Sequence, residues 1–166
     1  MTADALRCLA NFSGTLVASL LPAVCVATGP RGSPDAEQPF ETVLAATRSG
    51  LDQPRREVIR DAASWARLWA EIHARESPAP PLPPVDFERQ MLIAVALGTR
   101  ASGGFGIRVT SVVVRGDRLE VAVEESCPAK GAMLTLSLTQ PVEVVRVAKA
   151  ARAPAFRESR AATCPR

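Results

Sequence analysis

Residues 91–97 form an uninterrupted apolar run that reads Met-Leu-Ile-Ala-Val-Ala-Leu. A short run in which every position is apolar is typical of a strand that is covered on both faces. Two strand-like stretches, 107–114 and 119–123, flank residues 115–118, whose Arg-Gly-Asp-Arg sequence predicts a tight hairpin turn. The apolar alternation changes parity at residues 110–111, which predicts a β-bulge there.

Shorter apolar patterns predict further strands on either side of this centre. Residues 41–45 and 57–60 are typical of short strands, and residues 142–147 are predicted to be the last strand. Leu134, Leu136 and Leu138 alternate with polar residues, so they predict a strand with one buried face.

One amphipathic helix is predicted after Asp61, which stands at the position of an N-cap. The apolar side chains of the helix recur at i, i+3, i+4 and i+7 and share one face; they are Trp65, Leu68, Trp69 and Ile72. The helix is expected to end before Ser77, because a residue that precedes proline avoids helical geometry. We expect its apolar face to form the structural core with residues 91–97, and the proline-rich residues 77–84 to be a stiff crossover.

These elements together predict an α+β domain: a mainly antiparallel β-sheet or sandwich-like structure with one amphipathic helix packed on it. A length of 166 residues suits a single core, and 47% hydrophobic with 22% charged residues is typical of a globular chain. We assign the domain to residues 41–147, a flexible linker to 28–40 and a basic C-terminal tail to 148–166.

Residues 1–27 are predicted to be a signal peptide. Arg7 precedes an apolar run, residues 15–27, that is too short to span a bilayer and contains Pro22. An exported protein, periplasmic, extracellular or at the cell surface, is therefore expected; an unprocessed amphipathic or disordered start is the alternative. Cys25 lacks the neighbouring residues of a lipoprotein site, so no lipid anchor is predicted.

Cleavage after residue 27 would leave two cysteines, Cys127 and Cys164. In an oxidising compartment such an even pair can form a disulfide, which would hold the basic tail against the domain. Two unpaired thiols are the alternative, and the spacing alone leaves both open.

Charge and aromatic content argue against a nucleic-acid partner. The net charge is +3, and the chain has no tyrosine, five phenylalanines and two tryptophans. Nucleic-acid binding needs a dense basic face, often with aromatic rings that stack on bases. We therefore predict a protein partner, no nucleic acid and no membrane span, and leave the oligomeric state open.

No residue pattern predicts catalysis, a cofactor or a metal ion. His73 is the single histidine; it lies at the edge of the apolar helix face, and no nucleophile motif accompanies it. Asp86 and Glu88 are close enough in sequence to form a pair of catalytic carboxylates, but a solvated strand edge accounts for them. A non-enzymatic protein is expected.

A glycine-rich loop after the central run is the candidate partner-contact site. It comprises Thr99, Arg100, Ser102, Gly103, Gly104, Phe105 and Gly106. A phosphate-binding loop needs a helix behind its glycines, whereas a strand follows here. The glycines either permit a tight turn or expose backbone and Phe105 as a contact surface for another protein.

The stretch from about residue 56 to residue 147 resembles the C-terminal domain family of the protease-complex subunit PrcB. In order, the resembling pieces are residues 57–61, 64–65, 68–69, 84–87, 97–100, 102–105, 128, 131–133 and 138–141. The resemblance implies an exported accessory protein, without catalytic residues, that binds a protease and helps to assemble or stabilise its complex. The family's glycine loop usually ends in tyrosine, and Phe105 lacks that hydroxyl.

A protease inhibitor-like β domain that presents the glycine-rich loop is the alternative function. The Gly-Gly-Phe sequence at 103–105 is loosely similar to loops that chagasin-type inhibitors project from a β-sandwich. The two functions differ in their effect on protease activity, which an inhibitor would lower.

Overall fold

Eight strands and one helix make up residues 36–164, the part of the chain that the computed structural model describes. The strands are β1 (Ala36–Glu37), β2 (Phe40–Ala46), β3 (Pro54–Ile59), β4 (Gln90–Leu97), β5 (Gly106–Arg115), β6 (Arg118–Ser126), β7 (Val142–Ala148) and β8 (Ala153–Arg160). The helix, α1, spans Ala62–Ile72 and lies between β3 and β4 in the chain.

The strands form two four-stranded sheets. Sheet A has the order β1-β5-β6-β8, and sheet B has the order β2-β7-β4-β3. Neighbouring strands are antiparallel except β6 and β8, which run parallel. The predicted α+β class, with a mainly antiparallel, sandwich-like arrangement and one helix, is confirmed.

Strand β4 is buried on both faces because its two sets of alternate residues belong to different cores. Every second residue from Met91 to Val95 lies in the apolar core between the two sheets. Every second residue from Leu92 to Ala96 packs in a second core with α1. Sheet B therefore lies between the helix and sheet A, which explains why its central strand is apolar throughout.

Helix α1 starts at the Asp61 cap, whose carboxylate accepts a hydrogen bond from the Ser64 amide at 2.8 Å. The four side chains Trp65, Leu68, Trp69 and Ile72 are all buried in the second core. The indole N–H groups of the two tryptophans donate to the carbonyl oxygens of Pro83 and Pro80, at 3.0 and 2.9 Å respectively. The proline-rich segment therefore satisfies the polar atoms of the two largest helix side chains.

The predicted β-bulge is present in β5. The pairing of β5 with β6 shifts register between Val109 and Ser111. The Val109 amide donates to the carboxylate of Glu143 on β7 at 2.5 Å, and that carboxylate also accepts from the Thr42 hydroxyl at 3.3 Å. Glu143 is buried and links the two sheets where β5 bulges.

Ordered strands extend beyond the predicted domain limits of 41–147. β1 lies in the segment assigned to a linker, and β8 lies in the segment assigned to a basic tail. The sequence does not predict β8 because charged residues interrupt its apolar pattern, which is common in edge strands. Residues 1–27, the predicted signal peptide, lie outside the described residues. Within the described residues, no helix has the length and apolar character that crossing a bilayer requires.

The strand predicted around Leu134, Leu136 and Leu138 is wrong. These residues lie in irregular chain between β6 and β7, next to an isolated bridge between Arg100 and Thr139. β6 is already flanked by β5 and β8, and β7 by β2 and β4, so neither offers a free edge to this segment. Apolar alternation does not reveal whether a sheet edge is available.

Candidate partner-binding surface

Two loops of the sandwich lie side by side. The glycine loop, residues 98–105, connects β4 to β5, and the apolar loop, residues 127–139, leads from β6 towards β7. We refer to their combined exposed face as the two-loop surface. It contains the glycine-rich candidate residues predicted from the sequence, up to Gly106 at the start of β5.

Backbone hydrogen bonds join the two loops. The Gly103 amide donates to the Thr135 carbonyl at 3.0 Å, and Arg100 and Thr139 exchange two bonds of 2.8 and 3.0 Å. The Thr139 hydroxyl adds a bond of 2.8 Å to the Ser102 carbonyl. Several backbone groups of the glycine loop are therefore hydrogen-bonded to the apolar loop, and the glycine loop does not project freely into solvent.

Four large apolar side chains of the apolar loop are exposed, three of them by more than half of their area. The exposed fraction is 102% for Met133, 94% for Leu136 and 61% for Leu138. Leu134, by contrast, lies 3.1 Å from the position that a Cβ on Gly104 would occupy and is 38% exposed. Neighbouring apolar side chains left in water are a recognised mark of an interaction site.

A disulfide holds the root of the apolar loop. Cys127 is bonded to Cys164 at a sequence separation of 37 and a Cα–Cα distance of 4.8 Å. The Ala161 amide also donates to the Glu125 carbonyl at 2.8 Å. The chain after β8 is therefore fixed where the apolar loop begins, and the segment predicted as a tail serves as its anchor.

Phe105 is partly buried beneath the Arg100 guanidinium, whose central carbon lies 5.9 Å from the ring centroid. Arg100 also lies 3.5 Å from the Glu125 carboxylate. The ring is therefore covered on one side by a cation that is itself paired. Phe105 is less available to a partner than the sequence analysis expected.

The glycine loop is also fixed to the end of the helix through Asp52. The Asp52 carboxylate accepts from the Arg75 guanidinium at 2.8 Å and from the Thr99 hydroxyl at 2.9 Å. These bonds, that to Arg75 foremost, hold the pKa of the Asp52 carboxyl below its usual range. Thr99 therefore serves to position the loop.

The exposed residues Met133, Leu136 and Leu138 were not identified as site residues from the sequence. Leu136 and Leu138 share with Leu134 the alternate spacing of a half-buried strand, and the pattern predicts a strand there. The nearby Gly131 and Pro128, at the start of the same run, were the signal that could have indicated a loop.

Gly104 packs closely against the apolar loop and provides a test of the packing of the two loops. Its φ is +87°, and a Cβ on it would lie 2.8 Å from the Pro128 Cβ. We expect Gly104→Ala to lower the free energy of unfolding by about 2–3 kcal/mol, from the backbone conformation and the clash together. Urea denaturation of purified protein measures it.

Gly116→Ala is the matched control, because Gly116 also has a positive φ, +57°, but a Cβ there would meet nothing within 4 Å. Its expected cost is about 1 kcal/mol, from the backbone conformation alone. Equal losses for the two variants would show that the loops are not packed at Gly104.

The candidates for chemistry, His73, Asp86 and Glu88, make contacts that support the fold. His73 is buried, with its ring centroid 4.2 Å from that of Trp69 and its Nδ1 3.0 Å from the Glu76 carboxylate. The Asp86 carboxylate accepts from the Glu88 amide at 3.0 Å and so closes a turn. Within residues 36–164, no group of three or more His, Cys, Asp or Glu is placed to hold a metal ion.

Comparison with known proteins points to one family. Residues 91–148 match the family model described as PrcB C-terminal, and this stretch runs from β4 to β7 with both loops included. No curated protein and no solved structure matches the chain significantly. The resemblance predicted from the sequence is thus confirmed over residues 91–148, the stretch that matches the PrcB C-terminal family.

Proposed function

We propose that this protein is an exported, non-enzymatic accessory protein that binds a protease through the two-loop surface and helps to assemble or stabilise its complex. The observation that carries the proposal is the exposure of Met133 and Leu136 on a loop that is fixed at its root. A mobile tail could expose apolar residues that bind nothing. A loop fixed by a disulfide and by backbone hydrogen bonds instead holds them in a defined place.

The energetics of the surface suit a protein partner. Covering Met133 and Leu136 would contribute about 1.5–3 kcal/mol for each side chain. The tethers through Cys127 and Thr135 order the loop before binding, so less conformational entropy is lost on association. A few anchors on a preformed loop are typical of binding hot spots.

The choice of a protease as partner rests on the PrcB C-terminal match, because that family is associated with a protease-complex subunit. Export is supported by the disulfide, since such bonds persist mainly in oxidising compartments. An action without catalysis is supported by the surroundings of His73 and Asp86, whose side chains serve packing and a turn.

The test is capture of the protease by variants of the full chain. Tagged wild-type protein is incubated with an envelope extract of the cells that produce it, and bound proteins are identified by mass spectrometry and assayed for proteolysis. Met133→Ser/Leu136→Ser is expected to weaken capture of the protease about 100-fold, the equivalent of about 3 kcal/mol. Leu82→Ser is the matched control, because Leu82 is an exposed leucine in the proline-rich segment.

Recovery of no protease, or equal recovery by wild type and the double variant, would contradict the proposal. Activity of the captured protease separates an accessory protein from an inhibitor. A protease whose activity lasts longer with the bound protein supports assembly or stabilisation. A dose-dependent loss of activity would instead favour the inhibitor function.

A further inference from the structure

A groove beside the two-loop surface has the features of a peptide-binding site. Its volume is about 520 Å³, and it lies between the end of α1 and the apolar loop. Arg48, Ser137 and Leu138 line one side, and Ile72 and Glu76 line the helix side. Leu138 belongs both to the groove and to the apolar loop, so the groove is continuous with the two-loop surface.

Arg48 brings a positive charge to this groove. Its guanidinium donates to the Ser137 hydroxyl at 3.0 Å, and no carboxylate within residues 36–164 lies at ion-pair distance from it. The acidic residues of the groove are at the other side: Asp52 is bound by Arg75, and Glu76 lies beside His73. A ligand carboxylate would therefore find its charge partner at Arg48.

A second cleft, of about 210 Å³, continues from Arg48 and Ser137 to the glycine loop. Its lining is otherwise uncharged: Thr47, Gly103, Gly104, Phe105, Thr135 and Thr139. Arg48 is thus the charged residue at the junction of groove and cleft. The two together form an elongated track, which fits an extended chain better than a compact small molecule.

Gln140 supplies the second observation. It lines the groove and is only 5% exposed, yet its side-chain amide makes no hydrogen bond with any residue of the described chain. Only the backbone of Gln140 forms hydrogen bonds. Its amide donates to the Thr47 carbonyl, and its carbonyl accepts from the Ser49 hydroxyl. Because the side-chain atoms of Gln140 keep contact with the solvent in the groove, they are available to a ligand group that enters it.

A peptide group complements that side chain, because both carry one donor side and one acceptor oxygen. We propose that the groove binds one extended segment of the partner protein, with a peptide group at Gln140, an apolar side chain against Leu138 and a carboxylate at Arg48. This inference rests on the proposed function, since it names the chemistry of the same partner. The carboxylate can be an acidic side chain or a chain terminus.

Three synthetic peptides distinguish these possibilities when added to the full-length protein at roughly millimolar concentration. One is acetyl-Ala-Leu-Glu-Leu-Ala-amide, the second has Gln in place of Glu, and the third is acetyl-Ala-Leu-Ala-Leu with a free carboxylate. Binding is followed by the NMR signals of the Thr99 and Ser137 amides, with the Gly116 amide as a distant reference.

The acidic peptide or the free-carboxylate peptide is expected to shift the Thr99 and Ser137 signals, and the neutral peptide to bind about tenfold more weakly. Arg48→Gln should remove that preference, and Gln140→Met should weaken all three peptides. Arg67→Gln is the matched control, because Arg67 is also exposed and donates to a serine hydroxyl, that of Ser64, at 3.1 Å. It should leave binding unchanged.

Equal binding of acidic and neutral peptides to the wild type, or no shift with any peptide, would overturn the inference without relying on a variant. Arg48→Gln is then placed in the capture experiment. Undiminished capture by Arg48→Gln, with loss in Met133→Ser/Leu136→Ser, would refute the groove and leave the proposed function intact. Peptide binding at the groove without capture of any protease would support the groove as a binding site and contradict the proposed function.

Discussion

Replacement of Trp65 by alanine is expected to lower the free energy of unfolding by about 3–5 kcal/mol. The Trp65 side chain is 1% exposed and meets the Trp69 ring at a centroid distance of 5.1 Å in an edge-on arrangement. Its indole also donates to the Pro83 carbonyl, which the substitution leaves without that donor. Because domains of this size are stable by only about 5–15 kcal/mol, this loss is a large fraction of the total stability.

Equilibrium urea denaturation followed by circular dichroism measures this loss. Ala66→Gly is the control, because Ala66 is exposed on the same helix and its replacement costs only about 1 kcal/mol of helix propensity. Trp65→Phe should fall between the two, since it retains most of the apolar area and loses the hydrogen bond. A loss for Trp65→Ala no greater than that for Ala66→Gly would show that packing of the helix on sheet B contributes little to stability.

The helix and the central strand could be predicted because each is specified by its own residues. Asp61 supplies the cap, and the tryptophans fall on a single face at helical spacing. In β4, the run from Met91 to Leu97 leaves no polar face that could meet water. Local preference and burial point to the same structure at both places, so the sequence is sufficient there.

The sheet order could not be predicted, because it depends on which distant strands meet. β8 pairs with β6 in parallel, and its edge position lets it carry charged side chains such as Arg157 and Glu158. Arg157 contacts Glu120 on β6 at 2.7 Å, and Glu158 contacts Arg56 on β3 at 2.9 Å. These long-range ion pairs leave no periodic pattern in the sequence, so the sequence predicts a tail where the strand lies.

The candidate site was half predictable for a related reason. The consecutive glycines at 103 and 104 identify a loop from the sequence alone. Gly104 has a positive φ, a backbone conformation that few other residues adopt. The apolar loop carries such marks only at its start, at Pro128 and Gly131, and not in residues 133–139. Leu136 and Leu138 are exposed because the strands next to this segment in the chain, β6 and β7, already have both edges paired, which is a property of the complete fold.

Loss of the disulfide is expected to be the second large effect. Cys127→Ser/Cys164→Ser should lower the free energy of unfolding by about 4 kcal/mol, the chain-entropy value for a closed loop of 37 residues. The effect is expected to centre on β8, because the bond fixes the chain just beyond the parallel β6–β8 pair. Amide hydrogen exchange should therefore speed up most in β8 and in the apolar loop.

Urea denaturation with and without reductant measures how much the disulfide contributes to the free energy of unfolding. Reductant should destabilise the wild type by the same amount as the double substitution and leave the double variant unchanged, because the variant has no cysteine within residues 36–164. Equal stability of wild type and variant without reductant would show that the bond does not support the fold. Because the disulfide anchors the root of the apolar loop, the variant should also capture the protease more weakly, although Met133 and Leu136 remain in place.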